Sequence, residues 1–451
     1  MIELTNPWLR LLVEPESGSF SLFNLEKDFA WVKNARFGIS VAFGSRAQTS
    51  WCGDLSLIEL RGPLQQSTVG GMLDLVECVY QTKTGALDLT VSLGLLRDSP
   101  LLLQKLSLTN HDNKTIFPER LILCDLNKNG IQLTPSPTIQ PVFYSNGWQS
   151  WSPAGVYRHG ERQQRSRLGT LSNPMIINPG TPVTRKRDHF SSDMFALIGD
   201  TSSRVGLIAG FLSQAQQFGS LETWLRPQPT LEMWANGDRV HLLPGQTLQT
   251  DWAAYGFTDL DAPHPFQPYF EAAQRENDVR LPEKTPVGWC SWYYYFERVT
   301  AQDIRQNLAA AAAMRAEFPL DLFQIDDGYE KSVGNWLEFN QKFPEGLRPL
   351  AGEIRSAGLT PGMWLAPFIV QAGSEMLKRH PGWILRSRLG KPVNAGFAWN
   401  SLASALDLTN PDALAYVRTV IQTAVKDWGF PYLKLDFLYA AALGGKHHNP
   451  T

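Results

Sequence analysis

Phe430-Pro431-Tyr432-Leu433-Lys434-Leu435-Asp436-Phe437 reads as a buried β-strand that carries a lysine and an aspartate. Strand side chains alternate faces, so Lys434 and Asp436 share one face while Leu433, Leu435 and Phe437 share the other. Burying a charged pair on an apolar strand is costly unless the pair has a task. Lys434 beside Asp436 is expected to hold the carboxylate ionised, and an ionised, partly desolvated aspartate at a strand end suits covalent catalysis. A salt bridge closing a barrel interior explains the same residues equally well.

Upstream, strands and helices alternate. Val287-Gly-Trp-Cys-Ser-Trp-Tyr-Tyr294 reads as a first strand, and Leu320-Asp-Leu-Phe-Gln-Ile325 as a second that ends in Asp326-Asp327-Gly328. Leu359-Thr-Pro-Gly-Met-Trp-Leu-Ala366 reads as a third, and the Asp436 strand is the fourth. Between them, Thr300 with Asp303 forms a capping-box signal for a helix running to about Phe318, and Gly358 stops a helix over 349–357. Asn410 followed by Pro411 starts a further helix that ends at Gly429. Four β-then-α units with functional residues at the strand ends read as the first half of a (β/α)8 TIM barrel. A half-barrel has an open edge and an uncovered core, so completion by a further segment is expected.

Residues 1–260 read differently. Alternation in Leu87-Asp-Leu-Thr-Val-Ser-Leu-Gly-Leu-Leu96 and Leu101-Leu-Leu-Gln-Lys-Leu-Ser-Leu108, with turn signals at Asn236-Gly-Asp and Pro244-Gly-Gln, predicts many short strands. The expected fold class is multidomain β plus α/β. An N-terminal β-sandwich over 1–260 is followed by a proline-rich linker with a short helix over 261–286, then by the partial barrel over 287–451.

With 43% apolar and 19% charged residues, the 451-residue chain has the composition of an ordinary globular protein. A net charge of −2 without basic runs argues against nucleic acid as a partner. No secretory leader pattern or long apolar run is legible, so a cytoplasmic location without membrane contact is expected. Cys52, Cys78, Cys124 and Cys290 have no metal-ligand or paired spacing and are expected to be buried free thiols. His447-His448 reads as an isolated tail pair. No metal or cofactor is expected, since neither a phosphate loop nor a ligand cluster is present in the pattern.

The strand ends bring together Asp326, Asp327, Trp364, Lys434 and Asp436, and the first strand adds Trp289, Trp292 and Tyr293. Carboxylates, a lysine and aromatic walls suit a neutral polyhydroxylated ligand: carboxylates accept from adjacent hydroxyls and rings stack on the sugar. The fifteen tryptophans tilt the same way. Each part also has a plainer reading, since Asp-Asp-Gly is turn-forming and Trp364 fits a core position. Their joint placement at successive strand ends is harder to explain plainly.

Gly288-Trp-Cys-Ser-Trp-Tyr-Tyr-Tyr-Phe296, Ile325-Asp-Asp-Gly-Tyr329, Gly362-Met-Trp-Leu-Ala-Pro-Phe368 and Leu433-Lys-Leu-Asp-Phe437 resemble, in order, signatures of glycoside hydrolase family 36, the α-galactosidases with the related raffinose synthases. The resemblance implies a retaining enzyme in which Asp436 is the nucleophile and Lys434 contacts it and the sugar. It makes Asp326 and Asp327 the pair that binds the galactose hydroxyls and Trp364 a pocket wall. Trp292 and Tyr293 match the strand-one aromatics. The sandwich of such enzymes lends a tryptophan, for which Asn146-Gly-Trp-Gln-Ser-Trp151 offers Trp148 or Trp151. The family's acid/base aspartate lies on a sixth barrel strand, which is not among these residues. The implied partner is an α-galactoside oligosaccharide of the melibiose or raffinose type, with a homo-oligomer possible. A raffinose-synthase-like galactosyl transferase and an inactive galactoside-binding fragment stay open beside hydrolysis.

Overall fold

The computed structural model describes residues 1–43, 46–136, 139–164 and 170–450. Two compact units emerge. One comprises residues 1–167 and 176–280; the other comprises 281–450 together with a short segment ending at Met175.

The first unit is a β-sandwich of two ten-stranded sheets. Alternation drives it. Leu9–Glu14 and Leu87–Leu96 each bury every second side chain along most of their length. Those inward side chains meet in one core that joins Leu11, Phe20 and Phe37 of one sheet to Leu89, Leu106 and Tyr255 of the other. Phe20 and Tyr255 touch edge to face across the two sheets at 5.6 Å. The helix Gln267–Glu276 packs Tyr269 and Ala272 into a second core of the same unit.

The second unit is built on a four-stranded parallel sheet whose strands, Gly288–Cys290, Leu322–Ile325, Thr360–Leu365 and Tyr432–Leu435, lie side by side in chain order. The capping box forms as read: Thr300 Oγ1 accepts from Asp303 N–H, and the Asp303 carboxylate accepts from Thr300 N–H. That helix stops at Ala313, short of Phe318. The next helix, Arg348–Ser356, buries Leu350, Ala351 and Ile354, and Gly358 beyond it takes a left-handed φ of +77°. Arg305 joins the two helices through Glu353, at 3.0–3.1 Å. The helix Pro411–Gln422 has Asn410 as its N-cap and runs on into a π-helical turn, Thr423–Asp427.

Two readings need correction. The first strand ends at Cys290, and Trp292–Tyr295 is a helical turn. Tryptophan and tyrosine favour strands, but here Tyr295 N–H closes onto the Ser291 carbonyl at 3.0 Å. The Asp436 strand is not buried either. Among the described residues its ladder runs to the third strand alone, and Leu435 remains 39% exposed.

Between the third and fourth strands the chain makes a small antiparallel sheet of Ile369–Gln371, Ser401–Ala405 and Asn394–Ala398, in that order. The pairing of Ala398 with Ser401 leaves only Trp399 and Asn400 as the loop of the hairpin. The segment Thr170–Met175, far upstream in sequence, packs beneath this hairpin.

Candidate active site

The second parallel strand is buried throughout and delivers Asp326, 1% exposed, and Asp327 at its end. Gly328 then turns at φ +121°, where a Cβ would run into the Glu297 backbone. Both carboxylate oxygens of Asp326 accept hydrogen bonds. Its Oδ2 accepts from Gln324 Nε2 at 2.6 Å and from Lys434 Nζ at 2.9 Å, with Cys290 Sγ at 3.3 Å. Its Oδ1 accepts from Asp327 N–H at 3.0 Å, and its own N–H donates to Ser291 Oγ at 2.9 Å.

Lys434 therefore gives its ammonium to Asp326, not to Asp436 as strand alternation alone suggested. Burial works to lower the Lys434 pKa, but the Asp326 hydrogen bond and charge, with Asp436 behind them, outweigh it and raise it above the ordinary lysine value.

Asp436 sits at the end of the edge strand, its N–H continuing the ladder to the Leu365 carbonyl at 2.8 Å. Its Oδ2 accepts from Trp364 Nε1 at 3.1 Å and its Oδ1 from Phe437 N–H at 2.9 Å. Phe437 is left-handed, with φ +54°. A bulky residue there is strained by about 1–3 kcal/mol, and such strain concentrates where geometry is imposed by the surroundings. Trp364 is buried and meets Trp336 edge to face at 5.6 Å.

Asp327 has a different environment. Its Oδ2 accepts from Trp399 Nε1 at 2.7 Å. Burial, then the charge of nearby Glu330, push its pKa strongly upward, against the opposing effect of the Trp399 hydrogen bond. Trp399 also lies 4.9 Å from Phe437 and 6.3 Å from Trp364, ring to ring. Neither Trp399 nor Glu330 stood out in the sequence. Glu330 follows the aspartate pair by three residues, and Asn400 is a residue that tolerates left-handed turns; those were the only signals.

Asp326, Asp327, Trp364, Lys434 and Asp436 thus converge, linked through hydrogen bonds and ring contacts. Trp292, on the helical turn, meets Phe296 edge on at 5.3 Å, and Tyr293 is 81% exposed. Neither has a described contact with the carboxylates. Trp289 stacks on Phe323 at 4.3 Å. Trp148 belongs to the sandwich unit, where it packs edge to face with Phe218, and Trp151 lies in the same loop. Cys52, Cys78 and Cys124 are buried free thiols, whereas Cys290 is only half-buried beside Asp326. His447-His448 is not an isolated tail pair: Asp407 ties both, through His447 Nδ1 at 3.2 Å and His448 N–H at 2.6 Å. Among the described residues no His, Cys, Asp and Glu group is arranged to hold a metal ion, and no helix is long and apolar enough to cross a membrane.

Chemically, three carboxylates meet one ammonium and two indole N–H donors against aromatic rings. Such a site can accept from several hydroxyls of one ring and can offer a carboxylate oxygen as nucleophile.

The chain is similar to known proteins. The Melibiase family model matches residues 277–443. An α-galactosidase of Escherichia coli is 27% identical over 213 residues, covering 45% of this chain and 28% of that protein. α-Galactosidase AgaA of Geobacillus stearothermophilus is 25% identical over 307 residues, or 64% of this chain and 38% of that one. The matched region therefore spans well under half the length of these curated relatives. Among solved structures, the Thermus thermophilus α-galactosidase bound to p-nitrophenyl α-D-galactopyranoside aligns with a TM-score of 0.56 at 28% identity, over 80% of this chain and 64% of that one. A family 36 AgaA structure aligns with a TM-score of 0.67 at 15% identity, over 96% of this chain and 65% of that one, which speaks for the fold.

Proposed function

We propose that this relative of the family 36 α-galactosidases belongs to a retaining glycoside hydrolase that cleaves terminal α-galactosides of oligosaccharides such as melibiose and raffinose. The carrying observation is that one strand, Tyr432–Leu435, leads directly into Asp436 and sends Lys434 to Asp326 at 2.9 Å. The proposed nucleophile and the proposed sugar-binding pair are so fixed to one another. The parallel strands are read as the first half of a (β/α)8 barrel; the exposed Gly288 and Leu435 on the two outer strands fit sites that further strands would cover. Residues 1–260 form its sandwich domain and 287–451 its partial catalytic barrel.

In this reading Asp327 and Asp326 with Lys434 hold the galactose hydroxyls, and Trp364 supports the ring. Asp436 attacks the anomeric carbon as the bond to the leaving-group oxygen breaks, giving a β-galactosyl ester. Trp364 Nε1 orients the attacking carboxylate from the side. A water then attacks the same carbon, the ester oxygen leaves, and Asp436 is restored with net retention. The proton given to the leaving group, and later taken from water, belongs to a second carboxyl about 5 Å from the first. The paired third strand offers Trp364 and Leu365 beside Asp436, so that carboxyl is assigned to further β/α units.

Asp436→Ala in the complete enzyme is expected to lower turnover of an aryl α-galactoside by on the order of 10⁴-fold or more. An activated aryl group needs little acid assistance, so the assay isolates the nucleophile. Activity near wild type would remove Asp436 from that role, and product analysis with sucrose present separates hydrolysis from transfer.

A further inference from the structure

Trp399 takes no part in the assignments above, yet it occupies an uncomfortable backbone position near the carboxylates. It and Asn400 are the whole loop of a two-residue hairpin, at φ +52° and +54°. Both central residues of such a turn need the left-handed region, which Asn-Gly supplies at little cost and an indole does not. The hairpin is held at both ends. At its base, Asn394 Nδ2 donates to the Leu171 carbonyl at 3.0 Å, and Tyr439, three residues past Asp436, donates its hydroxyl to the Ala395 carbonyl. Gly396, at φ +119°, lies so close to Met175 that a Cβ would overlap it. At its tip, Nε1 reaches Asp327 Oδ2 at 2.7 Å while the ring contacts Phe437 and Trp364.

A surface turn with a free choice of residue has no reason to keep a tryptophan there. The strained tip is explained if its indole has a fixed duty at Asp327. We infer that Trp399 is a positioning and specificity residue of the sugar site: its N–H fixes the Asp327 carboxyl in one orientation, so that the remaining acceptor capacity of that carboxyl selects one hydroxyl of a galactosyl ring. The inference rests on the galactoside reading and adds a residue to it. The indole N–H sets the direction of Asp327, and the ring, wedged between Phe437 and Trp364, sets the direction of the indole. Phe437 directly follows the proposed nucleophile, so the same ring also ties the hydroxyl-reading end of the site to the reacting end.

The test is a ligand-by-mutation cycle on the full chain, with affinities for D-galactose, 4-deoxy-D-galactose and 6-deoxy-D-galactose read by calorimetry. Trp399→Phe keeps the ring and loses the N–H. It is expected to weaken galactose about 10-fold. That penalty should shrink to under about 2-fold for one deoxy sugar, the same one for which the penalty of Asp327→Asn shrinks. Trp399→His, whose ring N–H can still reach Oδ2, should restore part of the discrimination. Equal loss for all three sugars would overturn the inference and leave Trp399 a packing residue. Failure of the wild-type chain to bind galactose at all would instead overturn the galactoside reading beneath it. Far-UV circular dichroism on each variant separates loss of contact from loss of fold.

Discussion

Lys434 shows how little a strand pattern says about where a long side chain ends. Alternation placed it on the face of Asp436, and the structure keeps that face, but the ammonium crosses to Asp326 at the end of the second strand. Asp326 is the deeper of the two carboxyls, 1% exposed, whereas Asp436 is only partly buried, and a buried carboxyl gains more from a paired ammonium. Removing one partner of a buried pair leaves the other uncompensated at about 3–5 kcal/mol; with Lys434 36% exposed, solvent screens part of that. Lys434→Met is therefore expected to destabilise the second unit by about 1–3 kcal/mol in urea unfolding. The pH dependence has a definite sign. The lysine pKa is raised on folding, so its stabilisation is complete below the ordinary value of 10.5 and disappears as pH rises through the higher folded value. The gap between wild type and Lys434→Met should stay level through neutral pH and close only in alkali. A gap that closed between pH 5 and 8 would mean that a different group carries the effect.

At the scale of elements, hydrophobic period and cap chemistry reach a long way. The Thr300–Asp303 box, the Asn410-Pro411 start and the Gly358 stop all operate where they were read, because a cap is a local contract between residues three or four apart. The sandwich strands follow the same logic with period two. Trp292–Tyr295 went astray because aromatic residues fit strand and helical turn alike, and the turn is closed by Tyr295 N–H on the Ser291 carbonyl at 3.0 Å. The Trp399 hairpin lay beyond reach for a similar reason. Its turn residues are not the usual Asn-Gly pair, and its support comes from Met175, more than two hundred positions upstream. That support is testable apart from the indole. Gly396→Ala forces a side chain into a left-handed position against Met175 and should cost about 1–3 kcal/mol in the second unit. By displacing the tip it should also weaken galactose binding in the hydroxyl-selective pattern expected of Trp399→Phe. Loss of stability with galactose selectivity intact would show that the hairpin base and the Trp399 contact are independent.

At the scale of the whole molecule, the question is how much of the proposed two-carboxylate reaction the 451 residues can carry. A retaining mechanism needs a proton donor opposite the nucleophile. Asp326 is poorly placed for that duty, since Lys434, Gln324 and Cys290 all point donors at its Oδ2. Asp327 holds its proton readily, because burial and Glu330 push its pKa upward, but its Oδ2 already accepts from Trp399 Nε1. Positioned acid catalysis is worth about 10²–10⁴-fold for a poor leaving group and little for a good one. The 451-residue chain should accordingly form a galactosyl ester on Asp436 from p-nitrophenyl α-galactoside, detectable by mass spectrometry. It should turn over raffinose slower by at least about 10²-fold relative to the aryl substrate. Azide, a nucleophile that needs no base, should speed release of the ester and, attacking from the face opposite Asp436, yield α-galactosyl azide. Comparable rates on raffinose and the aryl galactoside would place a working acid within these residues. Asp327→Asn, which keeps the shape of the side chain and removes its proton-donating carboxyl, would then identify or dismiss the first candidate.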